Sequence, residues 1–80
     1  MVDVDVQKIL YRMRGILYSE NREVLVIEQG DKLIVRLTVH YNWERYNSEF
    51  ALTHHDTHRD MITYIDIACN NIKELMFPSD

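Results

Sequence analysis

Apolar residues first recur along the chain with a helical period. Val6, Ile9, Leu10, Met13, Ile16 and Leu17 fall at the i, i+3, i+4, i+7 spacing of one helical face. Asp3 or Asp5 can cap the start of this helix, where a negative charge also suits the dipole. Ser19, Glu20 and Asn21 break the pattern. A strand follows over Glu23 to Gln29, rich in Val, Leu and Ile. Gly30-Asp31 is a Gly-X pair, which suits a two-residue type II′ hairpin. Closing on it opposes Ile27 to Ile34, Val26 to Val35, Leu25 to Arg36 and Val24 to Leu37. One sheet face then carries Val24, Val26, Leu33, Val35, Leu37 and Val39, and the other Leu25, Ile27, Ile34, Arg36, Thr38 and His40; a slip of one residue would mix the two sets.

A third strand ends near Leu52. Turning between Asn42 and Asn47 opposes Val39 to Phe50 and His40 to Glu49, and it puts Tyr41, Trp43, Tyr46, Phe50 and Leu52 on the core side. Glu44-Arg45 is poor chemistry for a tight primed turn, so a loop of about four residues is expected here. The last helix runs from Thr53–Thr57 to Met76, with Thr53 and Asp56 spaced as in a capping box. Met61, Tyr64, Ile65, Ala68, Ile72, Leu75 and Met76 form its apolar stripe, and Pro78 stops it. The expected fold is a single α+β domain over residues 1–80, in the order α-β-β-β-α. Its three-stranded antiparallel meander would be covered on one face by two helices.

Composition narrows the function classes. The chain has 80 residues and a formal charge of −4, with a pI near 5.4. Its length suits one core. Net acidity with scattered bases makes it a poor general binder of phosphate backbones. The single cysteine cannot form an internal disulfide and fits a reducing, cytoplasmic setting. No apolar run reaches the roughly 20 residues that span a bilayer, and the acidic start does not read as a signal peptide.

The densest chemistry is His54-His55-Asp56-Thr57-His58-Arg59-Asp60. On a helix, His54 and His58 would share a face, as in metal sites built from an i, i+4 pair. The H-E-x-x-H pattern is not met, because His55 stands where the general-base Glu belongs. The pair lacks a Cys or a second His pair to complete a coordination sphere, so the expectation is no metal and no cofactor, with a metal-responsive module as the weaker alternative. His40 opposite Glu49 would be an oriented imidazole with no Ser or Cys nucleophile beside it. Cys69 lies at the edge of the apolar stripe and reads as a small buried hydrophobe. The two glycines stand 15 positions apart and build no phosphate loop. A non-enzymatic chain is expected.

The α-β-β-β-α order resembles that of double-stranded-RNA-binding domains. That family places a basic cluster at the start of its last helix to hold phosphates; the same place here carries two carboxylates and one Arg. Trp43, Tyr41 and Tyr46 beside Arg36 and Arg45 have the chemistry to stack bases, but the pattern puts these aromatics in the core. No direct nucleic-acid binding is therefore expected.

Three surfaces remain for a protein partner. On the first helix, Val4, Tyr11 and Tyr18 are spaced by seven on the side away from the core stripe, with Gly15 near them. On the open sheet face, Leu25, Ile27 and Ile34 cluster beside Arg36. On the second helix, Ile67 lies among Asp60, Thr63, Asp66 and Glu74. Tyrosines and apolar anchors are what interfaces use. In size, charge and predicted topology the chain looks like phage-encoded inhibitors of host defence nucleases, including anti-CRISPR proteins. That resemblance implies a domain that occludes a partner with a basic face, met by Asp56, Asp60, Asp66 and Glu74 with Ile67 as anchor. The alternative is a homodimeric structural or regulatory module, joined through the open sheet face or the Tyr11/Tyr18 face.

Residues 54–80 carry five acids and two bases, a net −3, together with three of the four histidines. Protonating all four histidines cancels the formal −4. Solubility is therefore expected to fall as the pH drops toward about 5–6. Turbidity of concentrated protein across that range checks this, and a flat profile from about pH 8 to about pH 5 would contradict it.

Overall fold

The first helix, α1, spans Val6–Ile16, because the helical spacing of its apolar residues gives it a side to bury. Asp5 rather than Asp3 caps it: one carboxylate oxygen accepts from the N–H groups of Gln7 at 3.0 Å and Lys8 at 3.3 Å. The structure, a computed structural model, describes residues 3–17 and 21–78. Strands β1 (Asn21–Gln29), β2 (Lys32–Tyr41) and β3 (Glu44–Leu52) form one antiparallel sheet in the order β1-β2-β3. Helix α2 spans His58–Met76. The fold is α+β, a three-stranded meander with two helices, as expected.

The first hairpin has the expected register throughout, from Ile27 opposite Ile34 to Val24 opposite Leu37. Gly30 takes φ 64° at the first central position while Asp31 stays out of the positive-φ region, which is the type II′ arrangement. The second hairpin differs. Asn42 (φ 52°) and Trp43 (φ 67°) form a two-residue turn of the I′ kind in place of the expected four-residue loop. Val39 therefore opposes Tyr46 instead of Phe50, and His40 opposes Arg45 instead of Glu49. The tight turn wins because it extends pairing back to Leu33–Leu52, whereas the expected register would stop at Leu37. The shift is four residues, an even number, so every strand residue keeps its expected face. Trp43 leaves the strand altogether: expected in the core, it is fully exposed at 105%.

The helices and the sheet enclose one cluster. Ile9, Met13 and Leu17 meet Val35, Leu37, Val39 and Leu52 of the sheet, together with Met61, Ile65, Ala68, Cys69 and Ile72 of α2. Each fully buried aliphatic side chain here contributes about 1.5–3 kcal/mol. Val4 also packs against this cluster, so it does not share the outer side of α1 with Tyr11. The starts of both helices line one cleft (Asp5 and Lys8 with His58 and Met61), and Arg12 reaches Asp66 further along. The helices thus run in the same direction, starting at the Gly30 end of the sheet and finishing at the Trp43 end.

Two successive T-x-x-D segments shape the approach to α2. The first makes a turn: the Asp56 carboxylate accepts from the Thr53 N–H at 2.7 Å, and the Asp56 N–H donates to the Thr53 carbonyl at 3.1 Å. The second, Thr57 with Asp60, is the capping box proper, with both reciprocal bonds present. The helix therefore starts later than the Thr53 spacing suggested, and His54 lies before it.

The backbone at Gly30 is what makes the first hairpin tight. Among the described residues beyond its two chain neighbours, no atom lies within 4 Å of where a Cβ would stand, so any cost of a side chain is conformational. Gly30→Ala is expected to lower stability by about 1–2 kcal/mol without changing the fold, measured by urea unfolding.

Candidate functional site

Most of the carboxylates expected on an acidic helix face are engaged inside the chain. Asp66 receives two 2.7 Å hydrogen bonds from the Arg12 guanidinium, which pins α2 to α1. This holds its carboxyl below the ordinary range, mainly through the hydrogen bonds. Both groups are more than a third exposed, so the pair contributes no more than about 1 kcal/mol. Asp56 accepts from the Thr53 backbone and from the Tyr64 hydroxyl at 3.1 Å, which lowers its pKa as well. Asp60 is spent on the capping box. Ile67, 53% exposed, and Glu74 remain on the outer side of α2.

The expected chemical clusters do not assemble. Because the helix begins at His58, His54 and His58 do not lie on one helical face; the His54 ring sits 4.0 Å from that of His55 instead. Among the described residues, no three His, Cys, Asp or Glu side chains are grouped to hold a metal. Nε2 of His40 lies 3.6 Å from Glu23, while Glu49 pairs with Arg36 at 3.1 Å. The expected His40–Glu49 pairing is overturned by the register of the second hairpin. Cys69 is fully buried, and burial pushes its thiol up to about 11, so the thiolate is scarce at neutral pH.

The open sheet face carries Leu25 (49% exposed) and Ile27 (38% exposed) with half-buried Ile34, beside the Arg36–Glu49 pair. These residues come together as expected. Further along the same face, Thr38 is buried and donates to Asn47 at 2.8 Å. Tyr11 is 78% exposed on α1; its expected companion Tyr18 lies outside the described residues.

Among the described residues, the most exposed large hydrophobic side chain was not anticipated at its position. Trp43 stands at the tip of the second hairpin, on a backbone that side chains disfavour. Behind it, Tyr41 meets Phe77 edge-on, with ring centroids 5.4 Å apart, just past the end of α2. Asn21, Arg22, Glu23, His40, Tyr41 and Asn42 join Trp43 around an open concavity of about 750 Å³. The signal in the sequence was Asn42, a residue that tolerates positive φ and fits the first position of a primed turn.

Compared with protein-family models, with curated proteins and with solved structures, the chain matches none. Among the described residues, no helix is long and apolar enough to cross a membrane.

The two depressed carboxyls fix the sign of an acid response. A carboxyl lowered in the folded state adds stability above its unfolded pKa, and this is lost as pH falls through the folded value. Stability is expected to hold from neutral pH down to about 4 and then decline. In Asp66→Asn and Asp56→Asn the decline should be shallower, as checked by urea midpoints along the pH series.

Proposed function

We propose that this chain is a non-enzymatic protein-binding domain, which acts by occupying a partner's surface with Trp43 as its anchor. The observation that carries this reading is a fully exposed tryptophan held at positive φ in a two-residue turn. A left-handed backbone costs a side chain about 1–2 kcal/mol, and Gly would meet the same turn with less strain. Strain of this kind gathers where function needs a side chain displayed. Tryptophan is also the residue most enriched among interface hot spots.

Other features agree with occlusion. The concavity behind Trp43 is open, which suits a contact surface better than an enclosed pocket that desolvates a small substrate. The net charge of −4 disfavours a phosphate backbone as the partner. With Asp56, Asp60 and Asp66 held internally, the contact is assigned to the aromatic end in preference to the outer face of α2.

The test uses Trp43→Gly, which creates an Asn-Gly turn. Stability is expected to stay level or rise by up to about 1 kcal/mol, because the strain is relieved. A protein captured by the wild-type chain from its source lysate, then purified and titrated, is expected to bind the variant at least about thirtyfold more weakly. The emission of Trp43, the single tryptophan, should shift to the blue in the complex. Equal affinity of the two chains, or unchanged emission on binding, would overturn the reading, as would failure of the wild type to capture any protein.

A further inference from the structure

Strand β1 is one edge of the sheet, and its nine residues pair one for one with β2 without a bulge. The two-residue turn decides which backbone groups it leaves outward. Gln29 and Lys32 flank the turn as a hydrogen-bonded pair, so Ile27, Leu25 and Glu23 also spend their N–H and C=O groups on β2. Arg22, Val24, Val26 and Glu28 aim theirs away from the sheet. The strand carries the unbroken apolar run Val24-Leu25-Val26-Ile27, with no proline or lysine. The opposite edge, β3, carries as many charges, but Glu49 falls inside it, whereas Arg22, Glu23 and Glu28 of β1 flank the apolar run; a charge within the strand is what protects an edge from pairing.

We propose that β1 pairs antiparallel with β1 of a second copy of this chain, about a two-fold axis at Leu25, to make one continuous sheet. A two-fold axis normal to the sheet keeps each side chain on its own face, so only residues of like face can oppose. Centring on Leu25 sets Leu25 against its own copy, Val24 against Val26, and Arg22 against Glu28 of the second copy. Apolar meets apolar and base meets acid, twice by symmetry, while Glu23 beside Ile27 keeps its carboxylate in solvent on the open face. Centring on Val24 would oppose Arg22 to Val26, and centring on Val26 would oppose Val24 to Glu28. Each of those sets a charge against an aliphatic on the helix-covered face. Charge complementarity thus selects both the occupant and the register.

Helix α1 supports the same register. Among the described residues, Gln7, Leu10, Tyr11, Arg14 and Arg22 border a groove of about 270 Å³ beside this edge. Arg14 therefore stands as a second base near the incoming Glu28. Trp43 itself lies on the turn between β2 and β3, outside the paired strand, although Asn21, Arg22 and Glu23 at the start of β1 line the concavity behind it, so Leu25, Glu28 and the Val24 and Val26 amides are the readouts specific to the pairing.

Sedimentation of the full chain across the micromolar range tests the pairing. The wild type is expected to dimerise. Glu28→Arg and Arg22→Glu should each weaken the dimer by about tenfold or more, since both symmetric contacts become repulsive. An equimolar mixture of the two variants should recover it, because every opposed pair again joins a base to an acid. Should Arg22→Glu fail to fold by circular dichroism, Leu25→Lys carries the test, setting like charges together at the axis. Hydrogen exchange supplies a second readout: the Val24 and Val26 amides should gain protection on dimerisation, while those of Leu25 and Ile27 are protected throughout. Trp43→Gly should dimerise as the wild type does, which separates this result from the partner contact. A monomer at every concentration, a dimer indifferent to the charge swaps, or a dimer that leaves Val24 and Val26 unprotected would overturn the proposal.

Discussion

The rest of the molecule depends on the alternation along β2. Val35, Leu37 and Val39 point to one side and are completely buried, and they can do so only if both neighbouring strands keep the same parity. Two-residue turns at both ends of β2 enforce this. Each preserves the face of every paired residue, so the sheet reaches the helices with a single apolar surface. In a chain of 80 residues this matters more than usual, since there is one core and little surplus stability to absorb a slipped strand.

That same parity explains why the fold was legible in the sequence while one turn was not. The first hairpin could be placed residue by residue, because Gly30-Asp31 is recognisable turn chemistry and alternation on both sides agrees with it. The second offered no such mark. Tryptophan is a poor occupant of a left-handed position, so Asn42-Trp43 did not read as a turn, and a longer loop displaced by four residues satisfied the alternation equally well. The hydrophobic pattern could not detect an even-numbered slip. It assigned Tyr46, Phe50 and Leu52 to the helix side correctly while misplacing Trp43, the residue that the slip carried off the strand. The start of α2 was ambiguous for a related reason: the T-x-x-D spacing occurs twice in succession, and both copies form their bonds, but only the second can cap a helix whose first turn follows it.

Charge was harder to read than hydrophobicity. Acidic residues counted along the last helix suggest a negative face, yet three of them hold the structure together. Asp66 ties α2 to α1, Asp56 braces the connecting turn against Tyr64, and Asp60 completes the cap. None of these partners is near in sequence except through the local T-x-x-D motif. The Arg12–Asp66 contact joins residues 54 positions apart and follows only from knowing that the two helices run side by side in the same direction. The sequence shows how many charges there are, but how many are left for a partner depends on tertiary geometry.

The surface outside these contacts is unevenly distributed. The helix-covered face is spent on the core, and β3 is guarded by charges and lies next to α2. Two features resist explanation by folding alone. A turn that Asn-Gly would satisfy with less strain instead presents an indole to water, and an edge strand that could have been blunted carries four consecutive aliphatics. The two costs differ in kind. Strain at Trp43 is local and could be relieved by one substitution without disturbing the core, so its persistence points to what the side chain touches. The apolar run in β1 is partly required, because Val24 and Val26 pack toward the helices. Only Leu25 and Ile27 on the opposite face, and the outward backbone groups between them, are in excess of what the monomer needs. An edge left open in the middle and bounded by Arg22 and Glu28 of opposite sign is matched by its own copy turned about Leu25. A core-packing requirement alone would not arrange those end charges in that complementary order.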